Sequence, residues 1–191
     1  MNESDISRRQ FLGAGSSVTL AKLLGLSAPA LTAIVETAHA SQQRGTFAAL
    51  STEDAADLAA VASRILPSDD TPGAEEAGVI YFMDAALSRE MAGQKAMIVE
   101  GIAGLNQSIE GETRFADLAE DAQDAMLAGI EQLPFFNFVW TMTMFGMFSI
   151  PSYGGNKNYV GWKLLNFEGL QAAWQHPFGY YDRAINGEDS A

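Results

Sequence analysis

Residues 51–87, STEDAADLAAVASRILPSDDTPGAEEAGVIYFMDAAL, decide the fold class because they contain two helical patterns separated by a proline-bounded turn. Ser51 is a helix-capping residue, and the acidic residues after it favour the positive end of a helix dipole. Apolar residues then follow at helical spacing until Pro67, which ends the first helix. Pro72 lies where the first turn of a second helix is expected. The stretch therefore predicts two consecutive helices.

The same reading predicts three more helices further along the chain, at about 94–110, 119–133 and 135–150. Gly101 and Gly104 interrupt the first of these, and we expect them to mark close packing. The last is apolar around its whole circumference, which predicts a buried helix, and it is too short to span a membrane. No segment alternates with period two, so we expect an all-α fold, a single compact helical domain of about five helices.

Composition excludes several kinds of site. The chain has 191 residues, a formal net charge of −13 and no cysteine. Disulfides, thiolate metal sites, cysteine nucleophiles and cysteine-ligated clusters are therefore excluded. Nucleic acid is not expected as a partner, because phosphate binding needs a basic surface.

The C-terminal third is irregular and rich in aromatic residues. Residues 135–181 contain 14 of the 19 aromatic residues and only three charged ones. Its most conspicuous loop has two consecutive glycines and allows three interpretations: a structural turn, a docking loop or an anion-binding loop. Tyr and Trp around it favour docking, since these residues dominate interface hot spots. The predicted partner interface comprises Tyr153, Gly154, Gly155, Asn156, Tyr159, Trp162 and Trp174.

The first forty residues resemble an export signal. A charged start, a mildly apolar stretch and a small-x-small end are typical of secretory signals, and adjacent arginines indicate the twin-arginine type. The alternative is a mobile amphipathic helix. We expect a signal over 1–40, cleavage after Ala40, a polar linker over 41–44 and a helical domain over 41–191. The signal residues are Arg8, Arg9, Phe11 and Leu12, and the cleavage residues are Ala38 and Ala40.

The mature chain offers little for catalysis. Its single histidine, His176, is not accompanied by a nucleophile elbow, so a catalytic triad is not expected. Paired carboxylates occur where helices begin, which is typical of solvated helix starts. The pair Asp69 and Asp70 lies in a loop, and its role stays open. We therefore predict no catalytic, cofactor-binding or metal-binding residue in this chain.

Two separated motifs resemble the gluconate 2-dehydrogenase subunit 3 family. The first is ILPSDDTPGA at 65–74, followed by Ala-Gly-Val at 77–79. The second is Pro-x-Tyr-Gly-Gly-Asn at 151–156, with Gly161 and Trp162 downstream. The resemblance runs from about residue 50 to residue 169, and the two motifs occur in the family's order.

The resemblance implies a non-catalytic small subunit of a periplasmic dehydrogenase complex. Its partner would be a large flavoprotein of the glucose–methanol–choline (GMC) oxidoreductase type that holds FAD and oxidises a sugar, polyol or sugar acid. A cytochrome c subunit with haem c would accept the electrons. The small subunit would stabilise the flavoprotein and carry it through the twin-arginine (Tat) translocase. It would meet the membrane only through the complex.

Two other functions are compatible with the sequence. One is a stand-alone periplasmic helical enzyme or ligand-binding module, with a pocket near Asp69, Asp70, Tyr153 and Asn156. The other is an acidic structural protein that assembles with itself.

Overall fold

The structure, a computed structural model, describes residues 28–149, 151 and 154–167. Within these ranges it contains seven α-helices and no strand, so the expected all-α fold is confirmed. The count exceeds the predicted five because the described ranges include a helix before residue 51 and a short one after residue 159. The helices are α1 Ala28–Arg44, α2 Thr52–Ile65, α3 Val79–Leu87, α4 Lys95–Gln107, α5 Glu120–Ala128, α6 Pro134–Phe148 and α7 Val160–Leu164.

The start and end of α2 agree with the sequence pattern. Ser51 is the N-cap, and its hydroxyl oxygen accepts a hydrogen bond of 3.0 Å from the Asp54 amide. The apolar face of α2 is buried, with Leu58 and Val61 almost completely excluded from solvent. The helix ends before Pro67, as proline lacks the amide that a continuing helix needs.

The second helix begins later than expected, and the predicted start near Pro72 is wrong. The chain first folds back on the end of α2, where the Ala74 amide donates to the Leu66 carbonyl at 2.9 Å. Helix α3 starts only at Val79, after Gly78 has adopted a left-handed conformation with φ of 67°. Glycine suits this position because it has no side chain to clash there.

Helix α3 is the centre of the fold. Helices α1, α2 and α6 all pack against it. Seven of its nine residues are buried, including Phe82, Met83 and one charged residue, Asp84. A helix enclosed on this many sides is stabilised by burial of apolar surface rather than by helix propensity.

Helix α1 covers residues that the sequence assigned to the signal and the linker. The predicted linker at 41–44 is wrong, because these residues form the last turn of α1. Ile34 and Ala38 are completely buried in the core shared with α3. The remaining signal residues, 1–27, lie outside the described residues, and cleavage after Ala40 stays a prediction.

Helix α6 is buried along one face only. Val139 and Met142 lie in the core, whereas Trp140 is 50% exposed, so the prediction of burial around the whole circumference is wrong. One side of α6 faces the core and the other is left uncovered by the described residues. None of the helices in the described ranges combines the length and apolar character that a membrane span requires.

The two glycines of α4 differ in their surroundings. A Cβ atom on Gly101 would overlap the Phe135 ring, which confirms the expected close packing at this position. A Cβ atom on Gly104 would meet no heavy atom within 4 Å, so the same expectation is wrong for Gly104. Only Gly101 is therefore required by packing.

We expect opposite effects from the same substitution at these two positions. Gly101→Ala should lower the free energy of unfolding by about 1–3 kcal/mol, because the methyl group overpacks the contact with Phe135. Gly104→Ala should raise it by up to about 1 kcal/mol, because alanine favours the helix and the space is open. Urea unfolding measures both, and a loss of stability in Gly104→Ala would contradict the packing of α4.

Candidate functional site

The loop after α6 packs its backbone directly against the end of that helix. Side chains on Gly155 and Gly161 would overlap the carbonyl oxygens of Gly146 and Met147. The Asn156 amide donates a hydrogen bond of 2.6 Å to the Gly146 carbonyl. Glycine is therefore needed at two positions of the second motif because two stretches of backbone touch there.

Asn156 joins the end of α6 to the start of α7. It is completely buried and adopts a left-handed conformation, with φ of 46° and ψ of 41°. Its side-chain nitrogen donates to the Ser149 carbonyl at 2.8 Å, and its side-chain oxygen accepts from the Gly161 amide at 2.9 Å. Asparagine tolerates this backbone conformation better than most residues, and its amide group satisfies a donor and an acceptor at once.

An aromatic patch covers the outer side of this loop and α7. Trp162 is its buried base, and its indole nitrogen donates to the Phe148 carbonyl at 2.9 Å. The Tyr159 ring lies 5.7 Å from the Trp162 ring, and the Phe167 ring lies edge-on at 5.1 Å. Four members are exposed to between 38% and 60% of their surface. The aromatic patch comprises Trp162 and the exposed residues Tyr159, Leu164, Leu165 and Phe167.

The residues predicted for the partner interface fall into three groups. Gly154, Gly155, Asn156 and Trp162 are buried and make their contacts within the chain. Tyr159 is 53% exposed, with its side chain on the aromatic patch. Tyr153 and Trp174 lie outside the described residues. The interface stays a prediction, and among the described members Tyr159 is the one that presents its side chain to solvent.

The anion-binding interpretation has little support in this loop. The amides of Gly154, Asn156 and Lys157 donate to the carbonyls of Pro151, Gly146 and Ala77. Donors that are used inside the chain are not free to hold a phosphate. The loop therefore closes the fold, and its conformation is that of a structural turn.

The acidic turn between α2 and α3 stabilises its own backbone. The Asp69 carboxylate accepts hydrogen bonds from the amide and hydroxyl of Thr71 at 2.9 and 3.0 Å. These two bonds lower the pKa of Asp69, because they favour its charged form. Asp70 is exposed. The described ranges hold no group of three or more His, Asp or Glu placed to bind a metal ion.

Sequence reasoning missed two buried carboxylates, of which Asp57 is the first. It lies on the apolar face of α2 with no exposed surface. It accepts hydrogen bonds from the side chains of Asn106 and Arg114 and from the Ala116 amide, at 2.7, 3.0 and 2.9 Å. The hydrogen bond to Asp57 is the main reason that the pKa of Arg114 is raised. Asp57 thus joins α2 to the loop before α5.

Asp84 in α3 is the second buried carboxylate that sequence reasoning missed. Its two carboxylate oxygens accept hydrogen bonds from the backbone amides of Ala48, Ala49 and Leu50, at 2.6, 2.8 and 3.0 Å. Asp84 is completely buried. The sequence signal for both carboxylates was a single acidic residue at a position where the helical pattern demands an apolar one.

A shallow apolar groove lies away from this loop, between α4, α5 and the start of α6. Its volume is about 460 Å³, and residues such as Leu105, Ile130 and Leu133 line it. Asp69, Asp70 and Asn156, which would border a pocket in a stand-alone enzyme, do not line the groove. Asn156 is also enclosed by the chain, so it does not open into a pocket.

The hydrogen bonds of Asn156 predict a strong difference between two neighbouring asparagines. Asn156→Asp should lower the free energy of unfolding by about 2 kcal/mol or more, because it replaces a donor with a buried charge that faces the Ser149 carbonyl. Asn158→Asp is the matched control, since Asn158 is also left-handed, with φ of 56°, but is exposed. It should change stability by less than about 0.5 kcal/mol. Equal effects in chemical denaturation would contradict the assigned role of Asn156.

Comparison with known proteins identifies a family for this chain. The family model described as gluconate 2-dehydrogenase subunit 3 matches residues 52–169, more than half of the chain. The match starts at the first residue of α2 and includes both carboxylates, the loop after α6 and the aromatic patch. No curated protein and no solved structure matched the chain.

Proposed function

The chain belongs to the gluconate 2-dehydrogenase subunit 3 family, and from this premise we propose that it is the non-catalytic small subunit of a periplasmic, FAD-dependent dehydrogenase complex. The catalytic partner is a GMC-type flavoprotein that oxidises a sugar, a polyol or a sugar acid. A cytochrome c subunit accepts the electrons. The role of this chain is to stabilise the flavoprotein and to accompany it through the Tat translocase.

The aromatic patch is the observation that carries the docking part of the proposal. Tyr159, Leu165 and Phe167 expose about half or more of their surface around a buried tryptophan. Adjacent exposed apolar side chains on a small domain are typical of protein–protein interfaces. Aromatic anchors of this type contribute most of the binding energy in many complexes.

The buried charged groups support a structural role. The carboxylate of Asp84 is occupied by three backbone amides, and that of Asp57 is occupied by a guanidinium, a side-chain amide and a backbone amide. A general acid or base needs access to substrate and a proton to exchange with it. Neither group has exposed surface. The hydrogen bonds of these two carboxylates therefore serve to hold the helices together.

The export part of the proposal depends on residues 1–27, which lie outside the described residues. The Tat pathway carries proteins that have already folded, often with a cofactor inserted. A flavoprotein that has no export signal of its own can then cross the membrane while it is bound to a small subunit that has one. Arg8 and Arg9 of this chain would serve both proteins.

Changing the arginine pair tests this role. Arg8→Lys combined with Arg9→Lys should leave the flavoprotein in the cytoplasm, although its own gene is unchanged. Flavin-dependent dehydrogenase activity in periplasmic fractions measures the effect. Arg44→Lys, at an exposed position in the last turn of α1, is the control and should preserve export. Normal periplasmic activity in the double variant would contradict the escort role.

Substitutions in the aromatic patch test docking. Tyr159→Ala and Leu165→Ala should each weaken binding of the flavin-containing subunit, and loss of a central anchor costs about 2 kcal/mol, or about thirtyfold in affinity. The melting temperature should change little, because both side chains are exposed. Lys163→Ala, at an exposed position of α7 between these two residues, is the control. Flavin absorbance in pull-downs measures binding, and wild-type binding by both patch variants would contradict docking at this surface.

A further inference from the structure

Helix α1 presents a continuous buried face to the core. Ala30, Ile34, Ala38 and Ser41 are exposed by at most 6% and follow one another at spacings of four, four and three residues. This spacing places them on one side of the helix, which packs against α3. A leader that is removed after export is not expected to contribute a buried face to the core of the mature domain.

The contacts around α1 are specific. The methyl group of Ala38 occupies the space that a side chain on Gly154 would need, and Gly154 has a φ of 93° that favours glycine. Arg89, beyond the end of α3, donates from its Nε to the Thr37 hydroxyl at 2.7 Å. Helix α1 thus contacts the loop after α6 and the residues that follow the end of α3.

The chain that leaves α1 is also fixed. The Thr46 amide donates to the Ser41 carbonyl at 3.1 Å, and the amides of residues 48–50 donate to Asp84. A cut between Ala40 and Ser41 would remove Ile34 and Ala38 from the core. It would also place a charged amino terminus at Ser41, which is only 2% exposed. Both changes are unfavourable.

The bond after Ala40 is poorly placed for a protease. It lies inside a helix that continues to Arg44. Proteolysis concentrates at exposed, irregular backbone, so cleavage here requires the end of α1 to unfold and leave the core. If the proposed export of a folded protein is correct, the translocated chain already has α1 in place.

We infer that the functional protein keeps residues 28–44 as a permanent helix of the domain and that it is not cut after Ala40. The end of the export signal and the first structural helix then overlap in sequence. Any removal of the leader must then occur before Ala28, so that the whole of α1 stays in the protein.

The first test is the N-terminus of the small subunit that copurifies with the flavin-containing subunit from cells expressing the full chain. Intact mass should show a chain that begins at or before Ala28. A chain that begins after Ala28, at Ser41 above all, would overturn the inference. Failure of the proposed function has a different signature, because the flavin-containing subunit would then not copurify or would reach the periplasm without this chain.

The second test measures the stability of the purified protein and does not depend on whether the protein is exported. Ile34→Ala, made in the full-length chain, should lower the melting temperature of the purified protein by about 5 °C or more, since it leaves a cavity in the core. Glu36→Ala, exposed on the same helix, is the matched control and should change it by less than about 1 °C. Equal melting temperatures for Ile34→Ala and wild type would show that this residue is absent from the folded protein and would overturn the inference.

Discussion

The buried carboxylate of Asp84 and the three amides that bind it constrain the rest of this fold. A charge without hydrogen-bond partners in the centre of the domain would cost far more than a small protein can tolerate. The amides of Ala48, Ala49 and Leu50 therefore have to lie against α3. This requirement positions the short connection between α1 and α2, and with it the docking of both helices on the central one.

Asp57 has the same function where α2 meets the segment before α5. Its carboxylate orders the backbone near Ala116 and holds the Arg114 guanidinium, whose outer nitrogens reach Glu53 and Asp54. The ion pair with Glu53 is exposed and adds little stability, whereas the pair with Asp54 is partly buried. The buried part of the network is the one that fixes the position of α2 relative to the segment before α5, because every donor there replaces a lost water contact.

The second motif, with the residues that follow it, divides into an interior and a surface. Its glycines and Asn156 allow two stretches of backbone to touch at the end of α6, and this contact holds α7 in place. Helix α7 then carries Trp162 inward and leaves Tyr159, Leu165 and Phe167 outward. The same few residues thus complete the core and present an apolar surface. This combination is what a small subunit needs if its task is to bind a larger partner.

Sequence alone determined the all-α class, the capped start of α2, the proline-defined end of that helix and the family, since caps, breakers and spacing act over a few neighbouring residues. It did not determine the start of α3, the packing of Gly104, the uncovered side of α6 or the inclusion of residues 28–44 in the core. It also missed Asp57 and Asp84, and it did not reveal that Gly154, Gly155, Asn156 and Trp162 are buried within the chain. Only the tertiary structure decides such features, because burial depends on which distant segment lies opposite a residue, and local patterns do not encode that neighbour.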